Sequence, residues 1–293
     1  MKIFNYLKIY AQLMRLDKPV GIWLLLFPTI TALYIANIEN NSKISAAILI
    51  VFILGSVFMR SSGCVINDYF DKDFDGKVAR TQNRPLVKYI KYPHLAKHAL
   101  YLALFLAICS GLIVIFFCNL NTILFALAAL VIAATYPLFK RFFSLPQAYL
   151  GLAFSMGIPM AYTAQNITLS WVTCALLTAN IFLVFAYDTA YAMVDKPYDV
   201  EIGIKTSAIF LGKYAQINIL ICTALYWLIH AFIMLHYQHV ILALIFFIFG
   251  ILKIIFYDYK KLYSGDPKDY FKVFISNQYV VIFVFIIWFI AYN

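Results

Sequence analysis

The sequence predicts an all-α integral membrane protein, with nine transmembrane helices forming a single membrane-embedded domain over residues 1–293. Three observations carry that prediction. Of 293 residues, 64% are hydrophobic and 12% are charged, whereas a soluble domain is about half apolar and about a quarter charged. The apolar residues gather into nine runs of near-bilayer length. When those runs are threaded back and forth, nearly all the cations fall on one side of the membrane.

A helix needs about 20 apolar residues to cross the hydrocarbon core. The runs are 19–37, 44–66, 95–117, 121–138, 146–164, 170–191, 213–235, 239–257 and 273–292. Ahead of them, residues 3–14 set Ile3, Phe4, Tyr6 and Leu7 against Lys2, Asn5 and Lys8. That pattern predicts an amphipathic helix lying in the membrane interface. The apolar runs are too long and too numerous for a secretory signal followed by a soluble domain. The mean hydropathy of +0.85 agrees.

Nine runs put the loops after the second, fourth, sixth and eighth on the same side as the N-terminus. Twenty of the 23 cations lie in those segments. Lys43 lies in a loop on the other side, and Arg60 and Lys253 lie within runs. The positive-inside rule makes the charged side cytoplasmic, with the C-terminus opposite. An error of one run would scatter the cations over both sides, so the charge bias supports the count. The same topology accounts for the net charge of +10, and no nucleic-acid partner is needed to explain it. Lys outnumbers Arg eighteen to five, a bias of composition. Cys64, Cys109, Cys118, Cys174 and Cys222 show no paired spacing. That spacing indicates neither a zinc site nor a disulfide framework and points to small packing residues.

Eight of the thirteen carboxylates sit in two short clusters about 120 residues apart. The first runs from Asn67 to Asp75, with Asp68, Asp71 and Asp73 between them. The second is Asp188, Asp195, Asp199 and Glu201. The first closes the second run, and the second closes the sixth. Runs one to four and five to eight therefore read as a weak internal repeat. Residues three and four apart share a helix face. Asp68, Asp71 and Asp75 stand at i, i+3 and i+7, and Asn67 and Asp71 at i and i+4. Asp195 and Asp199 are also i and i+4, with Asp188 two turns earlier. Asp73 and Glu201 fall aside. Acids at a membrane edge point to function. A stripe of them repels itself unless a cation intervenes. Hard oxygen ligands suit Mg²⁺, which takes one or two carboxylates together with phosphate and water. Solvated acidic loops would leave the helical spacing unexplained.

Cations accompany the acids. Arg80 and Arg84 follow the first cluster, Lys140 and Arg141 follow Tyr136-Pro137, and Lys205 follows the second cluster. The planar guanidinium fork suits phosphate or carboxylate. A metal site, a diphosphate clamp and an apolar chamber together indicate an isoprenyl diphosphate substrate. Mg²⁺ and basic groups would stabilise the departing diphosphate. Aromatic faces would stabilise the allylic cation left behind. Twenty-seven Phe and 22 Tyr are too many to single one out.

The Asn67-to-Asp75 segment reads NDxxDxxxD, and Asp195-Lys196-Pro197-Tyr198-Asp199 reads DxxxD. With these motifs the chain resembles the membrane-embedded aromatic prenyltransferases, the UbiA superfamily. It most resembles the branch that prenylates 4-hydroxybenzoate in ubiquinone synthesis. Further matches are Arg15-Leu16-Asp17-Lys18-Pro19, Asp75-Gly76-Lys77-Val78-Ala79-Arg80-Thr81, Thr135-Tyr136-Pro137-Leu138-Phe139-Lys140-Arg141, and Asp188 to Asp195 running on to Gly203-Ile204-Lys205-Thr206. The resemblance covers nearly the whole chain. One departure is Lys196-Pro197-Tyr198, where the family has a more acidic, proline-free spacer. Pro197 is expected to kink or start a helix there.

The resemblance implies nine helices around a central cavity open to the cytoplasm and laterally to lipid. It implies transfer of a polyprenyl group from polyprenyl diphosphate to 4-hydroxybenzoate, ortho to the hydroxyl, with Mg²⁺ as cofactor. Asn67, Asp71 and Asp75 would hold one Mg²⁺–diphosphate edge and Asp195 and Asp199 the other, with Asp68 in support. Tyr136 and Lys140 match the family's YxxxK element, and Lys140 would contact diphosphate. Arg80, Arg84 and Lys205 are further diphosphate candidates. Asp188 is the candidate for deprotonating or orienting the phenol, with a third metal ligand as the alternative. Arg141 or Arg15 would meet the aromatic carboxylate. Other acceptors in the superfamily are naphthoates, homogentisate-like rings and haem. A cation-coupled transporter would instead place acids at mid-membrane. Arg15 stands too early in the chain to leave room for a mitochondrial presequence, so a bacterial inner membrane is expected.

Overall fold

At membrane depth a backbone has no water to bond, so its polar groups must satisfy one another within helices. The computed structural model describes residues 3–76, 81–88, 93–201 and 203–293, and their side chains except those of 3–6, 71, 74, 75, 93, 137, 138, 140 and 141. Every regular element among the described residues is helical. In chain order these are α1 (Ile3–Leu13), α2 (Val20–Glu39), α3 (Ala46–Asp75), α4 (Pro85–Lys88), α5 (Pro93–Phe117), α6 (Leu120–Phe142) and α7 (Pro146–Ser155). Then follow α8 (Gly157–Ala164), α9 (Trp171–Glu201), α10 (Ser207–Phe210), α11 (Ala215–His236), α12 (Val240–Leu252), α13 (Lys260–Leu262) and α14 (Pro267–Tyr292). A π-helical stretch, Lys253–Tyr259, joins α12 to α13.

Among the described residues, seven stretches are long and apolar enough to cross a bilayer. They are Val20–Glu39, Ala46–Phe70, His94–Phe117, Trp171–Glu201, Gly212–His236, Val240–Leu262 and Pro267–Tyr292. The protein is therefore a multi-pass membrane protein. The other two predicted runs differ in form. The run at 121–138 lies inside α6. The run at 146–164 is divided into α7 and α8 at Met156. Pro159 supplies the reason: it has no N–H for the Ser155 carbonyl four residues back.

The chain gathers into two compact units, Met1–Leu26 with Ala46–Cys118, and Phe27–Ser45 with Asn119–Asn293. In the first unit α3 lies along α5. The Ser62 hydroxyl donates to the Ala103 carbonyl at 2.8 Å and Ser110 to Gly55 at 3.3 Å. Such bonds between membrane helices contribute about 0.6 kcal/mol each. Beside them Ile9, Leu13, Val65, Leu86 and Leu95 form a buried cluster that fastens α1 and α4 to α3 and α5. Arg60, a cation within a predicted run, finds room against Gly21, where a Cβ would lie 2.5 Å from its Nε.

In the second unit α9 is the centre, packed by α7, α8, α10, α11 and α14. Leu183, Val184, Ala186 and Ala190 of α9 are buried. The N-terminus of α6 is capped by Asn119, whose side-chain oxygen accepts from Thr122 N at 3.0 Å and whose amide donates to the Thr163 carbonyl. Lys253, the other cation within a run, bonds both oxygens of buried Asp258 at 2.8 and 2.6 Å. A π-helix bonds i to i+5, and that register brings two residues five apart together. The pair neutralises itself in a buried position, where a lone charge is costly.

Candidate active site

α3 continues without interruption past the bilayer-length stretch to Asp75. Its helical backbone gives Asn67 and Asp71 the i, i+4 relation, and Asp68, Asp71 and Asp75 the stripe, that their spacing predicts. Asn67 is exposed and Asp68 is 1% exposed. The side chains of Asp71 and Asp75, and all of Arg80, lie outside the described residues.

Asp68 is the focus of this end of the first unit. Arg15 Nη2 meets its two oxygens at 2.7 and 2.9 Å, and Arg84 Nη1 meets Oδ1 at 3.2 Å. Each arginine is positioned locally. Arg15 sits just past α1 with φ of 58°, a left-handed conformation that a non-glycine residue adopts only when held. Its Nη1 donates to the Gln12 carbonyl at 3.1 Å, and the Lys18 N–H donates to the Arg15 carbonyl at 3.1 Å. Arg84 closes a turn onto buried Thr81, with its N–H donating to the Thr81 carbonyl at 2.8 Å. It directly precedes α4, whose Leu86 is anchored in the cluster with Leu13 and Val65. Two segments that the sequence marks as substrate binders thus converge on one carboxylate.

In the second unit α9 runs from Trp171 to Glu201 straight through Pro197. No helix starts at Pro197, which lies inside α9. Pro197 lies in the exposed last turns, where the carbonyl it leaves unbonded, that of Met193, can turn to water. Asp195 and Asp199 therefore keep the i, i+4 relation, and Asp188 lies on the same stripe. All three are half-buried, while Asp73 and Glu201 are exposed.

Tyr191 stands on that stripe too, three residues after Asp188 and four before Asp195. Its ring centroid lies 4.9 Å from Phe274 and 6.2 Å from Phe271, both of α14. Tyr187 meets Phe274 at 5.8 Å. Composition hid this aromatic group, although the Asp188-to-Asp195 spacing contained the signal for Tyr191.

The chain leaves α9 through Gly203, at φ of 72°, and returns as α10. This return is bolted to the α6–α7 connection. Lys205 Nζ donates to the Phe142 carbonyl at 3.0 Å, and Ser207 N–H donates to Gln147 Oε1 at 2.8 Å. The Ser207 hydroxyl bonds Thr189, beside Asp188, at 2.7 Å. Gln147, Thr189 and Ser207 are all buried. Lys205 was expected as a diphosphate ligand, and here at least one of its three donors holds a helix end.

At that end of α6, Thr135 bonds the Tyr149 hydroxyl at 2.7 Å and Phe139 stacks on the Tyr149 ring at 3.8 Å. Tyr136 is half-buried between them in sequence. The side chains of Lys140 and Arg141 lie outside the described residues.

No three His, Cys, Asp or Glu side chains among the described residues cluster closely enough to hold a metal ion. Mg²⁺ asks for less, because one or two carboxylates suffice when phosphate and water complete the shell. The half-buried pair Asp195 and Asp199 meets that requirement.

Residues 25–290 match the model described as the UbiA prenyltransferase family. The 4-hydroxybenzoate octaprenyltransferase of Nitrosomonas europaea is 40% identical over 289 residues, covering 97% of this chain and 95% of that protein. The one from Dechloromonas aromatica is 48% identical over 216 residues, 74% and 71% of the two chains. Among solved structures, the apo form of a UbiA homologue from Aeropyrum pernix K1 superimposes with a TM-score of 0.72 at 21% identity, covering 91% of this chain and 96% of that one. A UbiA homologue from Archaeoglobus fulgidus bound to DMAPP and Mg²⁺ gives 0.65 at 17% identity, with 93% and 98% covered. These two likenesses establish the fold.

Proposed function

The chain belongs to the UbiA prenyltransferase family, and from that premise we propose that it transfers a polyprenyl group from polyprenyl diphosphate to 4-hydroxybenzoate in ubiquinone biosynthesis. The observation that carries the choice of acceptor is near-full-length similarity to relatives named 4-hydroxybenzoate octaprenyltransferase. Their names also favour an eight-unit prenyl chain. The bond broken is the allylic carbon–oxygen bond. The bond formed joins that carbon to the ring carbon ortho to the hydroxyl, diphosphate leaves with the bonding pair, and the ring loses a proton.

Bound Mg²⁺ would supply charge neutralisation for the leaving diphosphate. Asn67, Asp71 and Asp75, and separately Asp195 and Asp199, would hold Mg²⁺ with the diphosphate. Arg80, Lys140 and the free donors of Lys205 complete the clamp. Tyr136 would take part through the YxxxK element it shares with Lys140. Tyr191 and Phe274 offer aromatic faces to the allylic cation, which strengthens as charge develops. Asp188 accepts or orients the phenol proton, making the ring a better nucleophile. Arg141 or Arg15 receives the aromatic carboxylate. For Asp68 the bidentate contact with Arg15 and the contact with Arg84 support a counter-ion role instead of direct metal ligation. Arg84 then acts through that pairing as well as toward diphosphate.

The proposal includes nine membrane spans forming one catalytic domain, with a cavity open to the cytoplasm and laterally to lipid. It sets the protein in a bacterial inner membrane with the N-terminus cytoplasmic. The one-sided distribution of cations supports that orientation. The test is an acceptor panel on purified protein with Mg²⁺ and polyprenyl diphosphates of several lengths. Prenylation of 4-hydroxybenzoate in preference to naphthoate and homogentisate is the expected result. Absence of any prenylated ring would overturn the proposal.

A further inference from the structure

The second unit holds a small internal cavity lined by Pro28 and Thr31 of α2, Asn180 of α9, and Tyr226 and His230 of α11, among others. Thr31, Asn180, Tyr226 and His230 are each at most 5% exposed. Asn180 lies eight residues before Asp188, roughly 12 Å along α9, so the cavity is apart from the acid stripe.

Its polar atoms are incompletely used. Asn180 Nδ2 donates to Ser155 Oγ at 3.0 Å, and Ser155 Oγ itself donates to the Gly151 carbonyl at 2.6 Å. That chain fixes which end of the amide is nitrogen. It leaves Asn180 Oδ1 buried without a donor, and Thr31 Oγ1 is buried without any partner. His230, also in the lining, accepts at Nδ1 from Trp288 Nε1 at 3.1 Å. A ring that accepts at Nδ1 carries its proton on Nε2, so its remaining group is a donor. The wall thus offers an acceptor, a donor and a hydroxyl that can be either.

We propose that this cavity is a binding site for one water molecule, which donates to Asn180 Oδ1, exchanges a hydrogen bond with Thr31 Oγ1 and accepts from His230 Nε2–H. The space fits: about 10 Å³ is open to the centre of a water, close to the minimum for a single one. Two to four polar partners are what an ordered buried water requires. The water joins α2, α9 and α11 by polar contacts, beside the bonds that tie α9 to α7 and α11 to α14. It also sits beside Pro28, where α2 lacks one backbone bond.

The test is a structure of the full chain in lipid nanodiscs at a resolution that shows ordered water. One peak within about 3.2 Å of both Thr31 Oγ1 and Asn180 Oδ1 is expected. A direct bond between those two side chains, or no peak where other buried waters are visible, overturns the proposal. Thermal unfolding supplies a second reading. If both groups share one water, Thr31→Val combined with Asn180→Leu lowers the Tm by no more than the worse single change. Additive losses would count against a shared water.

Discussion

Asp68→Asn separates two jobs that one acidic stripe can do. The substitution keeps the size of the side chain and one acceptor oxygen, and removes the charge. Three contacts depend on that charge, at 2.7 and 2.9 Å to Arg15 and 3.2 Å to Arg84. Removing one partner of a buried ion pair costs about 3–5 kcal/mol. Here the carboxylate is 2% exposed, but the arginine side chains are 27% and 21% exposed, so water softens the loss. The expected destabilisation is about 2–3 kcal/mol, at the level of one or two charge-assisted hydrogen bonds. The assay is reversible unfolding in detergent micelles, paired with a Mg²⁺ titration of prenyl transfer. As a counter-ion, Asp68 can be neutralised with the Mg²⁺ half-saturation point held within about twofold, a change well below 1.4 kcal/mol. A cycle with Arg15→Gln should show coupling of about 1–3 kcal/mol. Wild-type stability combined with a tenfold or greater rise in the Mg²⁺ requirement would refute the reasoning and make Asp68 a metal ligand.

Three further outcomes follow from the same geometry. Asp188→Asn should slow turnover by at least about a hundredfold, the usual scale for a proton-handling group, while Mg²⁺-dependent diphosphate binding persists; loss of that binding would mark Asp188 as a metal ligand. Gln147→Leu strands the Ser207 N–H and should cost about 1–3 kcal/mol and raise the KM for prenyl diphosphate; a KM unchanged in this variant would show the clasp to be irrelevant to the site. Gly157→Ala drives a Cβ into Thr29 Oγ1 and should destabilise by about 1–3 kcal/mol, measurable as a lowered Tm that Thr29→Ala recovers in the double variant; an unshifted Tm in the single variant would show that the contact can relax.

The positions of the long helices were legible because apolar length and one-sided charge are properties of the chain itself. The stripe on α9 was legible for the same reason: i, i+3 and i+4 relations follow from sequence once a helix forms. That α9 continues through Pro197 is not legible in the spacing, because the penalty for proline depends on whether water can reach the freed carbonyl. The division at Met156 was missed although Pro159 stood in view, since hydropathy does not register a broken backbone bond. Asp68 reads as a stripe member from local spacing, but its partners Arg15 and Arg84 come from other segments. Lys205 follows an acid cluster in sequence, but its bond to the Phe142 carbonyl crosses 63 residues and is not legible in local spacing. Tyr191 is the reverse case, a residue whose place on the stripe could be counted but was lost among many aromatics.

The most direct measurement is product formation by the purified chain in proteoliposomes, with 4-hydroxybenzoate and an isoprenyl diphosphate, before and after Mg²⁺ is removed by chelation. The account predicts a carbon–carbon bond ortho to the hydroxyl, one diphosphate released per ring prenylated, and full loss of both on chelation with recovery when Mg²⁺ returns. Ring prenylation at an undiminished rate without divalent metal would contradict it.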